Sequence, residues 1–317
     1  MDTAALVDGL IKGDRRALAR LLTRIEDGSA AVVREVIAGL HPHTGRAALV
    51  GITGAPGAGK STLVNALVSH WRDGERQVGV LAIDPSSPFS GGALLGDRVR
   101  MQDHVLDGGV FVRSMASRGQ LGGLSWATPQ ALLAFDAAGF DVVVVETVGV
   151  GQAEIEVAGV ADTTVVVVAP GMGDAVQAAK AGILEVADVF CVNKSDRQGA
   201  ARTVAELREL QRLGHGGRNV PSVSTTASDG TGVADLAAAI DEHHAALRSG
   251  DGLAQRQRAR ARLQVRELAL GTVRERAARL TGAASLDGLA AAVARRELDP
   301  YTAADRLLSE LEQPSIG

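Results

Sequence analysis

An octapeptide in the first quarter of the chain has the residue types and the spacing of a phosphate-binding loop. It consists of Gly54-Ala55-Pro56-Gly57-Ala58-Gly59-Lys60-Ser61, which is a glycine, four residues and then Gly-Lys-Ser. The glycines allow a tight turn whose backbone N–H groups converge on phosphate oxygens. Lys60 would place its charge at the β- and γ-phosphates, and Ser61 would bind Mg²⁺ through its hydroxyl. The sequence therefore predicts that Gly54–Thr62 binds a nucleoside triphosphate and magnesium.

The residues on either side of this loop supply the structural context that the motif needs. An apolar run from Ala47 to Ile52 predicts a strand, and apolar residues at helical spacing from Thr62 to Trp71 predict a helix. The partial positive charge at the start of that helix favours a bound anion. The alternative is an ordinary glycine-rich turn, but lysine is scarce in this chain, which makes a chance match to the motif improbable.

A second motif, Asn193-Lys194-Ser195-Asp196, follows the apolar run from Val189 to Val192. In P-loop proteins, Asn-Lys-x-Asp after a late strand is the element that recognises guanine. The carboxylate of Asp196 can accept hydrogen bonds from both N1–H and the 2-amino group of guanine, whereas adenine offers no such donor pair. Asn193 can hold neighbouring loops, and the stem of Lys194 can lie along the base. The alternative is a helix cap at Asp196 beside a surface lysine.

The turn Thr226-Ala227-Ser228 follows the next predicted strand. Its backbone N–H groups could bind O6 of guanine. A plain loop between a strand and a helix would have the same sequence, so this prediction depends on the position of the turn after Asn193–Asp196.

Three carboxylates are candidate magnesium ligands beside Ser61. Glu146 ends a valine-rich run, Asp84 follows the predicted strand over 78–83, and Asp97 lies farther along the chain. Mg²⁺ binds a few oxygen ligands and keeps several waters, so Ser61, Glu146 and one of the two aspartates would suffice. The alternative for a carboxylate at the end of a strand is a helix cap.

The composition limits the possible partners and the compartment. The 317 residues are 46% hydrophobic and carry a formal net charge of −4, which favours no general attraction to nucleic acid or to a membrane. Cys191 is the only cysteine, and the sequence shows neither a signal peptide nor a membrane-spanning run. The arginines from Arg256 to Arg262 have no interleaved aromatic residues for base stacking, so a solvated helix face is the simpler interpretation. We therefore expect a soluble, cytoplasmic protein that binds neither nucleic acid nor membrane.

The pattern along the chain predicts an α/β fold of the P-loop NTPase class. Short β-branched runs alternate with helical stretches, and runs such as Val142–Val145 have no polar alternation, which is typical of parallel strands buried on both faces. We expect a mostly parallel central sheet flanked by helices, with helical extensions at both ends. The expected domains are an N-terminal helical extension over 1–46, made of two helices separated by Asp27-Gly28-Ser29, a GTPase domain over 47–247 and a C-terminal helical region over 248–317. The expected strands are 47–53, 78–83, 110–112, 141–146, 163–169, 188–193 and 220–224.

With these elements in place, the chain resembles the MeaB/ArgK-type GTPases, the family of methylmalonyl-CoA mutase-associated G proteins. The resemblance covers most of the chain, and its most specific motif is the segment from Glu146 to Gln152. The motifs that carry it are Gly51–Thr62, Asp84-Pro85-Ser86-Ser87-Pro88, Gly91-Gly92, Leu95-Gly96-Asp97-Arg98, Ser117-Arg118-Gly119, Leu121-Gly122-Gly123-Leu124, Glu146-Thr147-Val148-Gly149-Val150-Gly151-Gln152 and Asn193–Asp196.

This resemblance implies a magnesium-dependent GTPase that binds GTP and GDP and forms a homodimer through its C-terminal helices. It also implies a partner, an adenosylcobalamin-dependent acyl-CoA mutase such as methylmalonyl-CoA mutase. The GTPase would act as its chaperone, protecting it from inactivation and gating the loading of its cofactor. Lys180 falls in an implied switch segment, where it would contact the phosphates or the ion. Catalysis would then involve Lys60, Glu146 and Lys180, with Gln152 as the candidate for orienting the attacking water.

Three other functions are compatible with these motifs. The first is a GTPase that inserts nickel or cobalt into an enzyme, although the single cysteine and the scattered histidines offer few soft ligands. The second is a kinase of a transport binding protein, although the sequence has no kinase-type base loop. The third is a nucleotide-gated binding module in which hydrolysis only resets the bound state.

Overall fold

The computed structural model describes residues 2–84, 102–104, 106–116, 127–147, 153–171, 183–213, 220–281 and 284–312. The chain divides into two compact units, Met1–Ala254 and Gln255–Gly317. The first unit contains the sheet and the phosphate-binding motif. The second unit is helical.

One sheet organises the first unit. Within the described residues it contains seven strands, all paired in parallel, in the order β3-β2-β4-β1-β5-β6-β7. Each strand lies on one of the runs that the sequence predicts, which confirms the α/β class and the parallel sheet. The strands are β1 (Ala48–Gly54), β2 (Val78–Asp84), β3 (Val110–Ala116), β4 (Val142–Thr147), β5 (Thr163–Val168), β6 (Val189–Val192) and β7 (Ser222–Ser224).

Helices cover both faces of this sheet, which explains why its central strands lack polar alternation. The described α-helices of the first unit are α1 (Thr3–Ile11), α2 (Arg15–Asp27), α3 (Ala30–Leu40), α4 (Lys60–Asp73), α5 (Thr128–Ala137), α6 (Ala153–Val160), α7 (Ala200–Leu213) and α8 (Val233–Ser249). The boundary between the two units falls within the next helix, α9 (Gly252–Thr281). Short 3₁₀ segments lie at His41–His43, Gln102–His104 and Ile183–Val186.

Alternate residues of the strands pack into different cores. Val142 and Val144 belong to a core shared with α4 and α8, whereas Val143 and Val145 belong to a core shared with α1, α2, α3 and α5. All four valine side chains are at most 1% exposed. The period of two residues along each strand therefore assigns Glu146 to the face that carries α4.

The N-terminal region contains three helices, so the prediction of two helices is wrong. The additional break falls between α1 and α2, where Gly13 has a φ of 87° and Asp14 accepts a hydrogen bond from the amide of Arg16. A left-handed glycine followed by an N-capping aspartate ends one helix and begins the next. The break at Ser29 is present as expected, with Ser29 capping α3 through the amide of Val32.

The C-terminal region begins with α9, and α10 (Ala284–Ala294) and α11 (Pro300–Glu312) follow it. Asp299 caps α11, because it accepts hydrogen bonds from the amides of Tyr301 and Thr302. No helix in the described part of the chain combines the length and the apolar character needed to cross a membrane. Along α9, large apolar side chains are exposed at Leu263, Val265, Leu268, Leu270 and Val273.

Candidate nucleotide-binding site

The glycine-rich loop connects β1 to α4 at the carboxyl end of the sheet. All three of its glycines have a positive φ, and at two of them a Cβ would also collide with a neighbouring segment. Gly54 has a φ of 139°, and a Cβ there would lie 2.1 Å from the carbonyl oxygen of Val167. Gly59 has a φ of 90° and directly precedes α4, and a Cβ there would lie 2.5 Å from Nδ2 of Asn193. Any other residue would be strained at both positions.

Lys60 begins α4 and is only 6% exposed. Its Nζ donates hydrogen bonds to the carbonyl oxygens of Gly54, at 2.7 Å, and Ala55, at 3.1 Å. The ammonium group is therefore held against the backbone of the loop. It lies near the first turn of α4, where the helix dipole is also positive.

Asn193 joins the phosphate-binding loop to the guanine-type motif. Its side chain is 2% exposed, and Nδ2 donates to the carbonyl oxygens of Ala58, at 2.9 Å, and Gly59, at 3.4 Å. Its Oδ1 accepts from the hydroxyl of Thr225 and from the amide of Ala227, both at 3.1 Å. One amide side chain thus connects three segments that are far apart in the sequence.

Lys194 and Asp196 follow on the same turn. Lys194 has a φ of 57°, and its Nζ donates to the carbonyl oxygen of Gly57 at 2.7 Å, so its stem crosses towards the loop. Asp196 is exposed. Helix α7 begins at Ala200, and the amide of Thr203 donates to the carbonyl oxygen of Gly199, so Gly199 occupies the N-cap position. The alternative assignment of Asp196 as a helix cap is therefore wrong.

The turn Thr226–Ser228 lies beside Asn193–Asp196. The hydroxyls of Ser195 and Thr226 are 3.1 Å apart, and the amide of Ser195 donates to the carbonyl oxygen of Thr225 at 3.0 Å. Thr226 also forms a β-bridge with Thr231. A groove of about 440 Å³ runs between α4 and the start of α8, and its lining includes Thr62, Ala227 and Ser228.

Two buried carboxylates lie at the ends of the neighbouring strands β4 and β2, and one of them contacts Ser61. Glu146 is 2% exposed and Asp84 is 3% exposed. The hydroxyl of Ser61 donates to Oε1 of Glu146 at 2.5 Å. Because Glu146 pairs with Ala82 in the sheet, Asp84 lies two residues farther along β2 and on the same face. A serine hydroxyl and two carboxylates are hard oxygen donors, the ligand type that Mg²⁺ prefers.

Three of the predicted site residues, Asp97, Gln152 and Lys180, lie outside the described residues. The described part of the chain contains no cluster of three or more His, Cys, Asp or Glu side chains that could hold a metal ion.

Thr225, which no sequence motif identified, is fully buried between two of the predicted motifs. Its hydroxyl bonds Oδ1 of Asn193 and lies 3.1 Å from Sγ of Cys191. Burial raises the pKa of the Cys191 thiol to about 12, so this cysteine stays protonated and acts as a packing residue. The only sequence signal for Thr225 is its position directly before the turn Thr226–Ser228.

Comparison with known proteins adds the following similarities. Residues 18–281 match the family described as methylmalonyl Co-A mutase-associated GTPase MeaB. A Pyrococcus horikoshii protein named as a GTPase is 46% identical over 312 residues, which cover 96% of this chain and 97% of that protein. A fused isobutyryl-CoA mutase of Cupriavidus metallidurans is 42% identical over 212 residues, which cover 65% of this chain and 19% of that protein. The crystal structure of a LAO/AO transport system kinase has a TM-score of 0.70 and 25% identity, and the match covers 98% of both chains.

Proposed function

Because the chain belongs to the methylmalonyl-CoA mutase-associated GTPase MeaB family, we propose that it binds and hydrolyses GTP on Gly54–Thr62 in the service of a cobalamin-dependent acyl-CoA mutase. The observation that carries the proposed binding site is the set of hydrogen bonds made by Asn193. This side chain bonds the phosphate-binding loop through Ala58 and the base-recognising turn through Ala227. A nucleotide bound to the loop would therefore have its base beside Asp196.

In this proposal the loop amides and Lys60 bind the phosphate groups. Hydrolysis of a phosphoanhydride requires an in-line water and neutralisation of charge on the transferred group, with little covalent chemistry from the protein. The buried ammonium of Lys60 and the N-terminus of α4 supply positive charge that is already in position. Gln152 and Lys180 remain our candidates for orienting the water and for contacting the phosphates.

The base is read by two groups on neighbouring turns. The carboxylate of Asp196 accepts from N1–H and the 2-amino group of guanine. The amide of Ala227 is already bonded to Asn193, which makes the next amide, that of Ser228, the better candidate donor to O6. The stem of Lys194 covers one face of the base.

The oxygen ligands for magnesium are Ser61, Glu146 and Asp84, with Asp97 as a further candidate. A bound Mg²⁺ would neutralise charge on the β- and γ-phosphates. The 2.5 Å contact from Ser61 to Glu146 links the phosphate-binding loop to β4, so these two ligands would reach the ion together.

The mutase client is inferred from two findings. The family is named for association with methylmalonyl-CoA mutase, and one relative is a fused isobutyryl-CoA mutase. We propose that the GTPase acts as a chaperone, protecting an adenosylcobalamin-dependent acyl-CoA mutase and using its nucleotide state to gate cofactor loading. Methylmalonyl-CoA mutase is the first client to test, and isobutyryl-CoA mutase is the second.

We also propose a homodimer formed through the C-terminal helices. Helix α9 exposes Leu263, Val265 and Leu268, which are 45%, 68% and 50% exposed. Exposed apolar side chains that recur along one helix are typical of a surface that a second helix covers.

The test of guanine recognition is a change of base preference in Asp196→Asn. Each hydrogen bond to a charged group contributes about 1.5–3 kcal/mol, so the variant should bind GDP at least about tenfold more weakly than the wild type. Xanthine has N1–H beside a 2-carbonyl, which matches the acceptor and the donor of an asparagine side chain. We therefore expect Asp196→Asn to gain affinity for XDP in calorimetric titrations.

The control for this experiment is Asp235→Asn, which changes an exposed aspartate in the first turn of α8. Asp235→Asn should leave the affinities for GDP and for XDP at the wild-type values. Unchanged GDP binding by Asp196→Asn would show that Asp196 does not contact the base.

Two of the three alternative functions, metal insertion and protein phosphorylation, have less support. A metal-insertion GTPase needs a soft or imidazole ligand cluster, and the described residues contain no such cluster. The kinase alternative agrees with the name of the solved LAO/AO transport system kinase, but nothing in the described site presents a base loop for a protein acceptor. Transfer of labelled phosphate from GTP to a transport binding protein, rather than to water, would favour the kinase.

A further inference from the structure

Helix α2 holds the edge strand of the sheet through Glu26. Its Oε2 accepts a hydrogen bond from Nη2 of Arg113 on β3 at 2.8 Å, and Nη2 also lies 3.4 Å from the hydroxyl of Thr23. The side chains of Glu26 and Arg113 are 11% and 22% exposed. An ion pair at this depth is screened less by solvent than a surface pair.

The second oxygen of the same carboxylate binds the backbone of β3. The amide of Ala116 donates to Oε1 of Glu26 at 3.4 Å. Among the strands that the structure describes, β3 is at the edge of the sheet, so none of them bonds its outward-facing amides. Glu26 thus fixes both a side chain and the last backbone amide of this strand.

The end of β3 is paired with the end of β2 at the candidate magnesium site. Ala116 is opposite Asp84, and Met115 is opposite Ile83. Met115 and Ile83 also share a hydrophobic core with buried residues of α2. The backbone position of Asp84 therefore depends on a strand whose end α2 holds by hydrogen bonds and by packing.

We propose that Glu26 is a positioning residue for the magnesium site, acting through β3 on Asp84; this inference rests on the function proposed above. Magnesium requires near-ideal octahedral geometry with short bonds to oxygen, so a small displacement of one ligand weakens its binding. Through this connection the N-terminal helices contribute to the metal affinity of the GTPase domain.

The experiment measures the affinity for GDP as a function of Mg²⁺ concentration, using a fluorescent GDP analogue. In Glu26→Ala, the Mg²⁺ concentration that gives half of the maximal gain in GDP affinity should rise about 2- to 30-fold, which corresponds to the effect of mutations that act on a site through intervening residues. GDP affinity measured in EDTA should stay at the wild-type value, because the phosphate-binding loop is unchanged.

Two further variants separate positioning from general stability. Glu35→Ala removes an exposed glutamate from α3 and should match the wild type in this titration. Glu26→Gln keeps an acceptor for the amide of Ala116 but loses the ion pair. Its half-maximal Mg²⁺ concentration should therefore lie between that of the wild type and that of Glu26→Ala. It also provides the measurement if Glu26→Ala does not fold.

The possible results distinguish this inference from the function on which it rests. If the wild type responds to Mg²⁺ and both Glu26 variants respond identically, the inference is overturned even if their melting temperatures fall. If the affinity of the wild type for GDP does not depend on Mg²⁺, the proposed magnesium site fails, and the role of Glu26 fails with it.

Discussion

The ion pair between Arg72 and Asp107 links the last turn of α4 to the turn before β3. Both carboxylate oxygens of Asp107 accept from the guanidinium at 2.9 Å, and one of them also accepts from the amide of Gly109. The side chains of Arg72 and Asp107 are 21% and 29% exposed. The hydrogen bonds from Arg72 are the main cause that lowers the pKa of Asp107 to about 2 from 3.8.

This lowered pKa gives a prediction about acid stability. Because the folded pKa lies below the unfolded value, the stability from Asp107 is fully present above pH about 4 and is lost as the pH falls towards 2. Asp107→Asn should therefore be less stable than the wild type at pH 7, and the difference should shrink below pH about 4. Urea denaturation of both proteins between pH 7 and the acid range measures this difference in the free energy of unfolding. Glu206→Gln, which alters an exposed ion pair on α7, should give a difference near zero at every pH.

At the scale of elements, the contact between α6 and β1 depends on the absence of a side chain at Gly51. A Cβ at Gly51 would lie 2.3 Å from Cγ1 of Val157 and 3.0 Å from Cβ of Ala161. The glycine lets α6 lie directly on the strand that leads into the phosphate-binding loop. The close packing therefore fixes the distance between α6 and β1.

Gly51→Ala should destabilise the protein by about 1–3 kcal/mol, because valine at 157 is stiff at χ1 and cannot move away. Val157→Ala removes the Cγ1 atom that a side chain at position 51 would meet. The double variant should therefore lose less free energy of unfolding than the sum of the losses in the two single variants. Chemical denaturation of the four proteins in the cycle measures this coupling. Gly159→Ala, on the same helix with open space at its Cβ position, should be neutral or stabilising. Strict additivity would mean that Gly51 and Val157 do not compete for space.

At the scale of the whole molecule, the proposed function predicts that nucleotide binding and mutase binding are thermodynamically linked. If nucleotide state gates the mutase, the affinity for methylmalonyl-CoA mutase should differ between the GDP-bound and GTP-analogue-bound forms by about 5- to 150-fold. By thermodynamic linkage, the mutase should change the ratio of the two nucleotide affinities by the same factor. Binding titrations in both directions test this. Equal mutase affinity in the two nucleotide states would contradict gating.

If the protein is a homodimer that forms through α9, charged substitutions on that helix should reduce its mass in solution to that of a monomer. Nucleotide binding should not change. Val265→Glu with Leu268→Glu places two charges on the exposed apolar surface of α9, where burial in an interface would be costly. Light scattering should then give the mass of a monomer, with GDP affinity unchanged. Ala5→Glu, at an exposed position of α1 rather than α9, should remain a dimer. A monomeric wild type would refute the proposal.

Much of the fold was predictable because its signals are local. Valine runs without polar alternation identified the central strands, and Asp27-Gly28-Ser29 identified the break before α3. The break between α1 and α2 was missed because the apolar spacing continues across it, although Gly13-Asp14 is itself a turn signal. The candidate site was predictable only where one short segment carries the chemistry, as in Gly54–Ser61 and Asn193–Asp196.

By itself, the sequence determined the residue types for phosphate, base and metal binding and the secondary structure that carries them. Tertiary structure decided which of these residues meet. Asn193 reaches Ala58 across 135 residues, and Ser61 reaches Glu146 across 85 residues. The role of Thr225 and the support of β3 by Glu26 arise in the same way. Periodicity and capping record what neighbouring residues do, whereas strand order and helix packing follow from burial of the whole chain, which no short segment encodes.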